Sequence, residues 1–192
     1  MIAMLGFVAC TGSGADDAQG ASSASAARLA SVLVASSTVL SAADVAAANA
    51  IGLDLVTLEA PLRTWWSTLN DPAVAASTWL GDAPALLDAM SATVDHVDQQ
   101  LGVGRAPEVR ETYGPYVEHW RIVLRSLAAL RDAVAADDLT AEQHATSAYN
   151  GEIATMRQLD RGRVARVVDV YGHAEATRAL KAQGLDPTTF GL

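Results

Sequence analysis

The four histidines are the first residues whose chemistry needs asking about: His96, His119, His144 and His173. A helical metal centre of the di-iron type takes Glu-x-x-His, with carboxylate and imidazole three residues apart on one face. Here Glu118 and His119 are adjacent, so their side chains diverge by about 100° on a helix. His-Glu-x-x-His and Cys-x-x-Cys-His do not occur. Asp95-His96-x-Asp98 and Glu118-His119 could meet across an interface and hold one divalent ion, which makes His96 and His119 the candidate ligands. The expectation is nonetheless no metal and no cofactor, with each histidine a half-exposed polar residue beside its helix seam. Nucleophilic chemistry has less to offer. There is no Gly-x-Ser-x-Gly elbow, and the single cysteine, Cys10, has no histidine near it in sequence. Asp16-Asp17 and Asp137-Asp138 fall in a tether and a turn, where carboxylates are solvated. The glycines of "LGVGRA" (101–106) close a helix and make no phosphate cradle. No catalytic residue is expected.

Recognition has better candidates. Arg157, Arg161, Arg163 and Arg166 form a basic cluster in an acidic chain, suited to an anionic headgroup, a cell-wall polymer or an acidic partner. The competing expectation pairs them with Asp160 and the Asp95/Asp98 face, each exposed pair contributing about 0–1 kcal/mol. Tyr113, Tyr116 and Trp120 share a helix face and either line a ligand pocket between helices or belong to the core. Trp65 and Trp66, read as part of a connector, suit a partner surface, or else plug one end of the fold.

Elements that could position such groups follow from composition and spacing. The chain has 192 residues, enough for one domain plus a tail with a core held by packing. Hydrophobic residues are 51% and aromatics 5%, so alanine, valine and leucine do most of the apolar work; alanine is the best helix former. The net charge of −9 argues against nucleic acid and against electrostatic attachment to anionic lipid.

Helical periodicity recurs and strand alternation does not. Residues 24–60 read as one helix, or two joined at Ser41, where Asp44 completes a capping-box outline; Pro61 predicts an end at Ala60. Asp71-Pro72 predicts a start, and Gly81-Asp82 an interruption. Leu87, Met90, Val94, Val97 and Leu101 then lie on one face. The clearest signal is Val109, Tyr113, Tyr116, Trp120, Val123, Leu127, Leu130 and Val134, stepping by 4 and 3 as a bundle seam does. Pro115 inside it predicts a kink or a start. Thr140 to Gln143 is a second capping box, opening a helix with Tyr149, Ile153, Met156, Val164, Val167 and Tyr171 on a stripe. In that stripe Asp160 stands where an apolar residue is due. Gly172 ends it, and a short helix over 174–183 follows. The fold class predicted is all-α: an antiparallel up-down bundle of about four long helices plus a short C-terminal helix.

The N-terminus bears on location. Residues 1–9 are apolar and too short to cross a bilayer, which takes about 20 residues. Phe7-Val8-Ala9-Cys10 resembles the lipobox of bacterial lipoproteins, with Ala9 as the small residue before the cysteine and Phe7 in place of the usual leucine. The arginine bias (Lys181 is the only lysine) is similar to that of GC-rich bacterial genomes. The resemblance implies a diacylglycerol on Cys10, residues 1–9 as a truncated signal-like segment, and Met1 or Met4 internal to a longer signal. Residues 10–26, rich in Gly, Ser, Ala and Asp, then serve as a flexible tether, and 27–192 form the helical domain. Diacylglycerol supplies the two chains that stable anchoring requires. Beyond the N-terminus the longest uncharged run, Leu29 to Ala43, is short and rich in serine, so no other span is expected. The partners expected are the membrane, through Cys10, and an envelope protein or polymer, with the domain facing the extracytoplasmic side. The role expected is non-catalytic binding or scaffolding; the alternative is a bundle binding a small ligand or a metal.

Overall fold

The computed structural model describes residues 27–192 apart from 70, 72, 75, 103 and 183–186. Cys10, the signal-like segment and the tether therefore lie outside the described residues, as does Pro72. The described chain is all-helical, without a strand. After a helical segment over 27–33 come α1 (Ala42–Thr57), α2 (Glu59–Leu69), α3 (Ala76–Gln100), α4 (Pro107–Ala135), α5 (Leu139–Tyr171) and α6 (His173–Ala182), with a closing 3-10 turn, Pro187–Phe190.

Local chemistry sets most of the boundaries. The Ser41 hydroxyl accepts from Asp44 N and caps α1. The Asp44 carboxylate also accepts from Ala106 N, 3.1 Å away, tying α1 to the entry of α4. The Ser41 hydrogen bond and then the Ala106 amide hold Asp44 below the ordinary carboxylate pKa. Pro107 opens α4 at a position that needs no N–H. Asp138 accepts from Ala141 N and starts α5, two residues before the predicted box; Gly172, at φ 82, ends it.

Three expectations need correcting. The chain does not leave the helix at Ala60: α1 stops at Thr57, and Pro61 sits in the first turn of α2, where its missing N–H breaks no bond. The stretch read as a connector around Trp65 and Trp66 is therefore helical. Gly81-Asp82 does not interrupt α3, because Trp79, Ala83 and Leu87 continue one buried face across it. Of the two readings of Pro115, the start is excluded: α4 begins at Pro107 and runs through it, with the seam from Val109 to Leu130 buried on both sides of the proline. The stretch Ala42–Leu69, spanning α1 and α2, is long and apolar enough by composition to cross a membrane (hydropathy 1.3). It also supplies Ile51, Leu55, Leu58, Leu62 and Trp65 to the core.

The most extensive packing is between α4 and α5, and α4 also packs on α3. One apolar core runs through α1 to α5. A smaller one, with Leu33, Val164, Val167, Ala176 and Leu180, joins the segment 27–33 and α6 to the C-terminal half of α5. Segment 27–33 ends in a Schellman-type turn, with Ser36 N bonded to Ser31 O at 2.8 Å and Ala35 at φ 55. Ala35 is exposed, so its methyl group adds strain without packing. Ala35→Gly is expected to stabilise the fold by about 1 kcal/mol. Thermal melting checks this as a rise of about 2–4 °C in Tm for a chain of this size.

Candidate ligand-binding site

The α4 seam puts Tyr113, Tyr116 and Trp120 on the face that meets α5, and α5 presents Asp160 and Arg163 there, three residues apart and so on one side of the helix. The Tyr116 hydroxyl donates to Asp160 Oδ1 at 2.6 Å. Arg163 Nη2 donates to the Tyr113 hydroxyl at 2.9 Å. The Arg163 guanidinium carbon lies 4.8 Å from the Tyr113 ring centre and 5.7 Å from that of Tyr116, within cation–π range. Asp160 and Arg163 are 1% and 3% exposed, in the class of side chain rarely buried without a partner. Yet Asp160 Oδ2 and Arg163 Nε have no hydrogen-bond partner.

Burial dominates the electrostatics of this cluster. Desolvation pushes Asp160 up to about 7, against the pull of the Arg163 charge and the Tyr116 hydrogen bond. The Tyr116 phenol is pushed well above its ordinary value, first by burial. Desolvation works against the Arg163 charge, but Tyr113, Tyr116 and Asp160 outweigh it and keep the guanidinium protonated. Arg166, one turn on, has its pKa lowered by burial and then by the like charge of Arg163.

A cleft of about 230 Å³ opens on this cluster. Its walls come from the turn after segment 27–33 (Val34, Ala35), from α4 (Glu111, Thr112, Pro115, Tyr116) and from α5 (Leu159, Arg163, Arg166). Arg166 is held in place by bonds to Leu33 O (3.0 Å) and Val32 O (3.4 Å), carbonyls of the last turn of 27–33. Thr112 Oγ1 donates to Val34 O at 2.8 Å and fixes the opposite edge. No family model, curated protein or solved structure matches this chain. Its site is therefore defined by its own residues.

The other candidates fall in different places. The arginine cluster is split: Arg157 and Arg161 are exposed, Arg163 is buried and Arg166 is half-buried. The Asp95/Asp98 face is paired not with these arginines but with Arg121, at 3.4 and 2.9 Å. Trp65 is not a surface residue. It is 4% exposed and stacks on Trp79 with centroids 4.2 Å apart and planes 5° apart. Trp66 is half-buried and stacks on Tyr149 at 4.9 Å, lining a second cavity of about 290 Å³ with Arg63 and Arg157. Trp120 is fully buried in the core and takes no part in the cleft. His96 and His119 do not converge. His96 stands 3.8 Å from Asp54, and His119 Nδ1 pairs with Glu152 Oε2. Among the described residues no three His, Cys, Asp or Glu side chains are placed to share a metal ion.

Thr112 and Glu152 were not among the residues singled out by type and spacing, and Asp160 was noted without a role in a site. Asp160 had a signal, a carboxylate in an apolar stripe; its partner Tyr116, 44 residues away, is fixed only by how α4 and α5 pack.

Proposed function

We propose that this protein is a lipid-anchored component of the cell envelope whose helical domain binds a partner or small ligand and does no chemistry. The observation that carries the anchor is Phe7-Val8-Ala9-Cys10, followed by a Gly-, Ser- and Ala-rich stretch that suits a tether to the helical domain. Alpha-helical architecture suits an antiparallel up-down bundle of four long helices. One residue separates α1 from α2, so they serve as one arm; α3, α4 and α5 are the others, joined by short turns. The cleft beside Arg163 supports binding over catalysis. Asp160, the group there that titrates near neutrality, does not line it and touches a lining residue through the Tyr116 hydroxyl.

The anchor is tested by expressing the gene with its upstream codons and weighing the N-terminal peptide from the membrane fraction. The expected result is a diacylglyceryl cysteine at position 10, and Cys10→Ser is expected to move the protein to the soluble fraction. An unmodified peptide that begins at Met1, recovered from the soluble fraction, would overturn the anchor.

A further inference from the structure

We propose that the cleft between α4, α5 and the turn at Val34 is a binding site for a small oxyanion, a carboxylate or phosphate group, held by Arg163 and Arg166. The proposal rests on the domain being a binding module and not on the fate of Cys10. Three observations carry it. Arg163 lines the cleft, is 3% exposed, and has an Nε–H without a partner. A buried guanidinium has five N–H donors in a fixed fork that matches two oxygens of one anion. It bonds the Tyr113 hydroxyl and Tyr116 and faces both rings, and its Nε–H is the donor left over. Second, Arg166 lines the same cleft close enough for each charge to act on the other, and it is locked there by the Val32 and Leu33 carbonyls. Two like charges held together by fixed bonds are a preorganised arrangement for an anion between them. Third, about 230 Å³ is room for a phosphate or a short carboxylate but not for a polymer chain. Glu111 stands among the lining residues and favours a singly charged ligand over a multiply charged one.

The test is an arginine side-chain NMR titration of the folded chain with inorganic phosphate and, separately, with acetate, at constant ionic strength maintained with chloride. The Arg163 Nε–H signal is expected to shift and saturate with at least one of the two, and the arm that saturates first names the anion. The exposed Arg178 reports non-specific effects and is expected not to saturate. Arg163→Met keeps the volume without the charge and is expected to abolish the saturable rise in Tm that the bound anion produces. Should that variant fail to fold, Arg166→Gln, on a half-buried side chain, is expected to weaken binding about tenfold. An Arg163 signal indifferent to both anions, or moving in parallel with Arg178, overturns the oxyanion site. So does a variant that folds and binds like the parent. The domain as a binding module fails separately, if the folded chain, whatever the state of Cys10, retains no partner or ligand from an envelope extract.

Discussion

Replacing Trp79 with alanine is expected to lower the stability of the fold by about 3–5 kcal/mol. The ring is 1% exposed and stacked on Trp65, and each indole N–H donates to the other residue's backbone carbonyl, at 3.1 and 3.2 Å. Removing it deletes one of the largest buried side chains, leaves a cavity against α2, and takes one of two side-chain donors from the Trp65 carbonyl, which keeps the Thr68 hydroxyl. For a chain of this size the loss corresponds to a Tm lower by on the order of 10 °C. Urea unfolding followed by far-ultraviolet circular dichroism measures it without relying on tryptophan emission. Trp66→Ala, on the half-buried neighbour, is expected to cost about 1 kcal/mol. A double-mutant cycle between Trp65 and Trp79 should return a coupling of about 1 kcal/mol for the stacked pair. If Trp79→Ala and Trp66→Ala cost the same, Trp79 is not the residue that docks α2 on α3.

That pair marks where local sequence signals stop. Pro61 carries two meanings, a helix end before it or a first turn around it, and the pattern of 24–60 favoured the first. The decision was made elsewhere, by Leu62 and Trp65 finding an apolar surface at Trp79. The seam of α4 was legible because its period is intrinsic: Val109 to Leu130 repeat every 3 or 4 residues whatever they pack against, and all are buried. The arginine cluster was legible in part. At about 100° per residue, Arg157 and Arg161 lie some 40° apart, while Arg163 and Arg166 point to the other side of the helix. The same wheel places Arg163 beside Asp160 and Met156, on the buried face. What no wheel supplies is the register between α4 and α5, which brings Tyr113 and Tyr116 to that arginine and carboxylate.

Asp160→Asn is expected to change how stability depends on pH. With the folded pKa near 7 and the unfolded value near 3.8, the folded state holds a proton that the unfolded chain has released. The sign follows: protonated Asp160 supports the fold fully below about pH 4, and that support is lost as pH rises through 7. A rise from 3.8 to about 7 corresponds to on the order of 4 kcal/mol at most. Asparagine keeps an oxygen for the Tyr116 hydroxyl and cannot ionise, so the variant should lack this slope. Near pH 4 the two proteins should be of similar stability, because the parent is then neutral at this position as well. By pH 8 the variant should be the more stable, by a few kcal/mol in urea midpoints converted at a common m value. The opposing effect is the Arg163 charge, which loses a counter-ion when Asp160 is made neutral; breaking a buried pair this way ordinarily costs about 3–5 kcal/mol. In this site desolvation outweighs that attraction, since Asp160 is raised although Arg163 pulls it down. A variant less stable than the parent at pH 8 would reverse the order of the two effects, making Asp160 the standing counter-ion of a buried arginine.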